Sequence, residues 1–373
     1  MEALRGTTAA GFRTLFLLFG PNSALGHNSI VYIIEAQIDY VLKALDAMQA
    51  SGAASVVPTR EAQQRDNRRV QADLAGSVWL SGGSTSYYLD AGGRNTTLWT
   101  PRWARDDGSV SETENPIDGT RISFEVRGEG APLLLVHGSA LSRSIWRGFG
   151  YVAALQDRNR VIAIDLRGHG RSGKPYEPEA YRMPLVLADI LAVLDAVDAP
   201  AAHLFGYSFG ARAGFSLADS HPERMLSLIS AGGTYRAPGG SVSELFFPGY
   251  DAALCAGGMA GFLDGWAAHS GGPIDAQTTG AFLANDPLAL RAYFRQVELE
   301  SGIADDRLAQ LETPILLLAG TRDHERYIDS ERAATLMPHA SFRALPGRTH
   351  GNTLRPATEV LDVVIPFLAS LDA

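Results

Sequence analysis

The pattern of apolar and polar positions changes character near residue 118. Beyond it, Ile122, Phe124 and Val126 alternate with polar neighbours, as a half-buried strand does. Largely apolar runs follow at 133–136, 161–164, 202–205, 225–229 and 315–319. Most are separated by stretches with apolar residues every three or four positions, clearest at 183–197 (Met183, Val186, Leu187, Ile190, Leu191, Leu194) and 210–219. Strands too apolar to face water, alternating with helices, predict an α/β domain with a mostly parallel sheet and helices on both faces. In such sheets the working residues sit in loops beyond the carboxyl ends of the strands.

The first part of the chain is thinner in pattern. Ile34, Ile38, Val41, Leu42 and Leu45 recur at helical spacing and predict one amphipathic helix over 30–49. A short apolar strand at 15–19 and Gly-rich segments at 81–93 surround it, so residues 1–105 read as a small irregular segment with little core of their own. The stretch 101–118 is polar, acidic and aperiodic, which predicts a linker over 106–117 and a second domain over 118–373.

Composition narrows the function classes. The chain has 373 residues, 46% of them apolar and a net charge of −9, enough for a large core and contrary to a nucleic-acid or anionic-membrane partner. The densest basic cluster, Arg65, Arg68 and Arg69, is interrupted by Asp66 and reads as a solvated helix face. Cys255 is the single cysteine, which excludes an intramolecular disulfide, fits a reducing, cytoplasmic compartment and reads as a small packing residue. No apolar run approaches the ~18 residues of a membrane span. The run Leu15-Phe16-Leu17-Leu18-Phe19 is broken at once by Gly20-Pro21-Asn22, too short for the core of a signal peptide.

The candidate chemistry begins after the strand at 202–205, with Gly206-Tyr207-Ser208-Phe209-Gly210. A Gly-x-Ser-x-Gly match is weak alone, but at a strand-to-helix junction the sharp turn lifts the serine above the sheet edge. A serine hydroxyl needs a base to take its proton. Of nine histidines, His27 lies outside the domain, His203 inside a strand and His169 in a Gly-rich turn, while His221, His269, His324 and His339 have no special placement. His350 follows a strand at 342–345, shortly before a C-terminal helix, and fits a base. A carboxylate must hold its tautomer; Asp323, beyond the strand at 315–319, is the candidate, with Glu325 as fallback. The loop His137-Gly138-Ser139-Ala140 follows another strand, so the backbone N–H of Ser139, paired with that of Phe209, can serve as oxyanion donors, with His137 orienting the loop.

With these residues in place, 118–373 resembles the α/β-hydrolase family, in the compact form with a helical cap. The turn Asp165-Leu166-Arg167-Gly168-His169-Gly170-Arg171-Ser172, the aromatic Trp146 after the oxyanion loop and a long insert at 231–310, where the family places its cap, add to the match. The resemblance implies Ser208 as nucleophile, Asp323 as acid and His350 as base, with no metal or cofactor. Residues 1–105 resemble the C-terminal end of flavin-dependent Baeyer–Villiger-type monooxygenases, through Gly6-Thr7-Thr8, Gly11-Phe12, Leu15-Phe16, Gly20-Pro21-Asn22, Leu25-Gly26-His27-Asn28-Ser29, Trp79, Gly82-Gly83, Tyr88-Leu89-Asp90 and Gly93-Arg94-Asn95-Thr96-Thr97-Leu98-Trp99. Neither Gly-x-Gly-x-x-Gly turn of that family occurs, so the fragment is not expected to hold FAD or NADPH and reads as a fusion remnant.

The expectation is a serine hydrolase that cleaves a small-molecule carboxylic ester or lactone through an acyl-enzyme. Such compounds are what a Baeyer–Villiger monooxygenase releases. The alternatives are a cofactor-free carbon–carbon bond hydrolase or haloperoxidase using the same three residues, and a non-catalytic docking protein. Asp in place of Ser208 would have suggested an epoxide hydrolase or dehalogenase. The residue pattern specifies neither the acyl and alcohol groups nor the oligomeric state.

Overall fold

The computed structural model describes residues 3–4, 7–18, 20–21, 30–74, 90, 96–97, 110–236 and 241–371. The chain divides into two compact units, Met1–Asp107 and Gly108–Ala373.

In the first unit, helix α1 (Ile30–Ser51) covers the predicted amphipathic stretch. On its apolar face Ile38, Leu42 and Leu45 are 43%, 54% and 41% exposed, whereas Ile34 and Val41 are half-buried. A second helix, α2 (Arg60–Leu74), carries the basic cluster, with Arg65 and Arg68 exposed and Asp66 and Asn67 buried. The strand expected at 15–19 is reduced to an isolated bridge between Phe16 and Thr8. Most of the Gly-rich stretch at 81–93, and the monooxygenase-like positions 6, 22, 25–29, 79, 82–83, 88–89, 93–95 and 98–99, lie outside the described residues.

The second unit is built on an eight-stranded sheet. Its strands are β1 (Val110–Glu114), β2 (Arg121–Arg127), β3 (Ala131–Val136), β4 (Asn159–Ile164), β5 (Ala202–Tyr207), β6 (Met225–Ala231), β7 (Ile315–Gly320) and β8 (Ala340–Leu345). They lie in the order β1-β2-β4-β3-β5-β6-β7-β8. β2 pairs antiparallel with β1 and β4, and all other pairs are parallel. The strand order turns back at β3, which opens a crevice at the carboxyl edge between β3 and β5.

Two expectations change here. Part of the expected linker is structural: 110–114 is the edge strand β1, and Asn115 is buried, its Nδ2 donating to Leu185 O and Asp189 Oδ1. An edge strand needs no apolar residues on its open side, so a strand reading Val-Ser-Glu-Thr-Glu is invisible to hydrophobic periodicity. β2 is buried on both faces rather than one. Ser123 N–H donates to Ser172 Oγ, and Glu125 pairs with Arg127, so its polar positions are satisfied inside the protein.

Helices α3 (Met183–Ala196) and α4 (Phe209–Ser220) fall where the 3.6-residue period places them. On one side of the sheet Trp146, Tyr151 and Phe205 form a fully buried aromatic cluster, the indole 5.4 Å from Tyr151 and 4.9 Å from Phe205. Between β6 and β7 the insert folds as helices α5 (Tyr250–Ser270), α6 (Ala276–Leu283) and α7 (Pro287–Val297) with shorter ones. Asp286 caps α7, accepting from the N–H groups of Leu288 and Ala289, and Pro287 starts the helix. Cys255 lies exposed on α5, contrary to the packing role expected of it. Among the described residues no helix is long and apolar enough to cross a membrane.

Candidate active site

The site forms where loops leave the carboxyl ends of β3, β5, β7 and β8. Ser208 stands between β5 and α4 with φ 54° and ψ −115°, a backbone conformation that costs an L-residue energy and is held by its surroundings. The flanking glycines explain how. A Cβ at Gly206 would lie 2.4 Å from Ala211 N, and one at Gly210 would lie 2.2 Å from Val136 O. Only glycine lets strand, helix and neighbouring strand close around the serine.

Ser208 Oγ lies 2.9 Å from His350 Nε2, and His350 Nδ1 lies 2.8 Å from Asp323 Oδ2. Asp323 is buried and comes from the loop after β7; His350 comes from the loop after β8 and is partly buried. Glu325, the fallback, is directed elsewhere and pairs with Arg326. The five residues singled out in the sequence fall around one crevice, with Ser139 and Phe209 beside Ser208. A Cβ at Gly138 would meet Ser208 Cβ at 2.9 Å, so the β3 loop passes directly against the serine. Phe209 opens α4, where an N–H has no acceptor within the helix.

The β3 loop is held by groups that sequence reasoning gave a lesser place or missed. Ala140 has φ 59° and donates its N–H to His169 Nε2 at 3.1 Å. Leu166 N–H donates to His137 Nε2 at 3.0 Å. The other ring nitrogens, each Nδ1, donate to Gly138 O and Arg167 O, so both imidazoles are neutral. Burial lowers the pKa of both, that of His169 to about 3 with the adjacent His137 as a lesser cause. From the cap, Tyr293 OH meets Ser139 Oγ at 2.7 Å and Asn285 Nδ2 donates to Ala140 O at 2.8 Å. Tyr207 stacks on the His350 ring at 5.6 Å, and its hydroxyl donates to His350 O. An aromatic next to the motif serine was the available signal for Tyr207. Tyr293 and Asn285 carried none, because cap packing is not periodic.

The Gly-rich turn after β4 is scaffolding. Asp165 accepts from the N–H groups of Arg143 and Arg171 and forms an ion pair with the Arg143 side chain. A cavity of about 730 Å³ opens over the serine, lined by Ser139, Ser208 and His350 and by apolar groups such as Phe149, Leu245, Trp266 and Phe282. Such a mix, a few polar groups converging in an apolar hollow, suits a small molecule.

Fold and site together define a unit of the α/β-hydrolase fold, and comparison with known proteins agrees. Residues 131–302 match the family described as the alpha/beta hydrolase fold. The chain is 29% identical over 257 residues to 2-hydroxymuconate semialdehyde hydrolase from Pseudomonas sp. (strain CF600), covering 68% of this chain and 78% of that protein. The crystal structure of the esterase RhEst1 from Rhodococcus sp. ECU1013 matches with a TM-score of 0.59 and 25% identity, over 70% of this chain and 99% of that one. The monooxygenase resemblance is met as well. A Baeyer–Villiger monooxygenase from Pseudomonas aeruginosa is 52% identical over 99 residues, 26% of this chain. The chain spans only 19% of the length of that relative.

Proposed function

We propose that Gly108–Ala373 is a serine hydrolase that cleaves a carboxylic ester or lactone through an acyl-enzyme. The observation that carries this reading is the continuous line from Ser208 Oγ through His350 to Asp323, with contacts of 2.9 and 2.8 Å. Ser208 Oγ attacks the carbonyl carbon while His350 Nε2 takes its proton, and the backbone N–H groups of Ser139 and Phe209 face the oxyanion. Collapse of that intermediate passes the proton from His350 to the departing alkoxide. A water molecule then gives a proton to His350 and attacks the acyl carbon; its collapse frees the acid and returns the proton to Ser208. Asp323 fixes the ring with Nδ1 protonated throughout. Esterases among the similar structures support this substrate class. In the same reading, residues 1–105 contribute no chemistry.

A second reading keeps the three residues and changes the bond. The relative matched over 78% of its length is named for a semialdehyde rather than an ester, which favours retaining carbon–carbon hydrolysis as the rival. A serine-directed phosphonate should label Ser208 alone under either reading, and methanol release from simple methyl esters separates them. Label on another residue would remove Ser208 from its role, and no ester turnover beside a correctly labelled Ser208 would favour the rival.

A further inference from the structure

Four arginines of the second unit are buried to more than nine-tenths: Arg143, Arg167, Arg212 and Arg348. Three of them have carboxylate partners. Arg143 pairs with Asp165, Arg167 with Asp189 at 2.6 Å and Arg348 with Glu359 at 2.5 Å. Arg212 does not. Among the described residues its guanidinium has no ion pair, and its buried Nη1 has no hydrogen-bond partner in the protein. A guanidinium stays charged at neutral pH, so folding has placed a buried cation here that feels Glu298 and Glu300 only through their charge, an arrangement that is costly unless something pairs with it directly.

Its position says what. Arg212 lies on the first turn of α4, its N–H donating to Ser208 O at 3.2 Å, one turn below the serine. A small chamber of about 40 Å³ is lined by both Ser208 and Arg212, together with Phe209, Thr234, Phe294 and Arg326. Arg212, Thr234 and Arg326 also border a wider cavity of about 650 Å³. The carboxylates of that wider cavity are already engaged: Glu325 with Arg326, Asp305 with Arg332, and Asp329 with Thr234. Glu298, on the cap side, accepts from the N–H of Val242. Glu300 accepts from the Met183 N–H and from Gln296 Nε2. Among the described residues none of these carboxylates forms an ion pair with Arg212, although Glu298 and Glu300 act on it through their charge.

We infer that Arg212 receives an ionised carboxyl group of the substrate, so that the site takes esters or lactones whose acyl part bears a free carboxylate. A planar guanidinium matches a carboxylate with two parallel hydrogen bonds, and water exclusion makes the pairing strong. The larger apolar cavity that also borders Ser208 then receives the alcohol portion. The substrate assignment rests on Ser208 being the nucleophile; the anion site itself does not.

Monomethyl glutarate and methyl hexanoate have nearly the same length and differ in the terminal charge. For the full-length protein, kcat/KM for the former should be at least about tenfold higher, measured by methanol release, because charged-group recognition in a dry pocket discriminates strongly. In Arg212→Met, or Arg212→Gln if the first variant melts early, that ratio should fall to one or below. A ratio below one in the unaltered protein, or one that survives either substitution, overturns the proposal. If neither ester is turned over, the hydrolase reading fails separately, and calorimetry still decides the anion site. Glutarate should bind the Ser208→Ala protein saturably and should not bind Ser208→Ala/Arg212→Met. Absence of binding to the first, or equal binding to both, overturns it.

Discussion

Two histidine regions lie at the same carboxyl edge of the sheet, and they are opposite in kind. His137 and His169 sit beneath the β3 loop with no exposure, each Nε2 accepting a backbone N–H. His350 is partly open, its Nε2 facing a serine hydroxyl and its Nδ1 a carboxylate. Both regions fix an imidazole by two hydrogen bonds. In the first, a proton added to Nε2 would break a backbone bond in a fully buried place, where the loss of hydration outweighs the nearby Asp165 carboxylate, itself paired with Arg143, so the rings are held neutral and act as props. In the second, the partner on Nε2 can itself give up a proton and Asp323 can steady the resulting charge. On the proposed function, reactivity follows from the partner of Nε2 rather than from the residue type.

The largest effect that tests this contrast is at the reactive end. Ser208→Ala should reduce kcat by about a millionfold while leaving the thermal melt near its original temperature, by analogy with other serine hydrolases that act through such a unit. A variant retaining most of its turnover would mean that the His350 region is no more reactive than the His137 region. Asp323→Asn should lose about four orders of magnitude, because the amide favours the wrong tautomer of His350. Glu325→Gln should change little, since that side chain is exposed and paired with Arg326. If the two results were exchanged, the acid role would move to Glu325.

The buried pair gives a smaller, thermodynamic effect. The pKa of His169 is pushed down to about 3 in the folded protein, against an ordinary value of 6.5. Between those values the unfolded chain binds more protons than the folded one, so stability is complete above about pH 6.5 and falls as pH drops toward 3. The slope is about 1.4 kcal/mol per pH unit for one such group. Urea unfolding of the second unit at pH 7 and pH 4.5 should then differ by roughly 2–3 kcal/mol from His169 alone. His137, lowered by the same burial, adds in the same direction. In His169→Leu the slope should flatten while stability at pH 7 falls by about 1–3 kcal/mol, because Ala140 N–H loses its acceptor. An unchanged slope would show that His169 is not held neutral by burial.

How much was legible in the sequence follows a physical division. The parallel strands and α3 announced themselves because burial on both faces, or on one stripe, leaves a period in the residue types. Ser208, Asp323 and His350 were legible because each follows such a strand, and the structure brings these three side chains within hydrogen-bond reach. Strand β1 was not, since a polar edge strand carries no apolar signal. The role of His169 was missed because a Gly-rich turn reads as surface, whereas Asp165 and Arg143 draw it inside. Arg212 stood in plain view in the motif helix, but only three-dimensional packing reveals that it is buried with its Nη1 left without a hydrogen-bond partner.

The smallest expected effect concerns the two units. Unit one has an exposed apolar face on α1 at Ile38, Leu42 and Leu45, and unit two has a continuous core running through sheet and cap. If residues 1–105 contribute no chemistry, removing them should leave ester turnover within about twofold and the cooperative melt of the second unit in place. The cut must respect β1. A chain beginning at Gly108 keeps the edge strand and the buried Asn115, whereas one beginning at Asn115 loses five strand residues and the ladder from Val110 to Glu114. The second truncation exposes the open edge of β2, so it should melt lower and aggregate more readily than the first. The unaltered protein should also purify without flavin absorbance, since neither dinucleotide-binding turn is in the sequence. Full activity from the Gly108 start, with a lower melt from the Asn115 start, is the expected pair of results. Loss of activity from the Gly108 start would instead make the first unit part of the working enzyme, and the remnant reading would be abandoned.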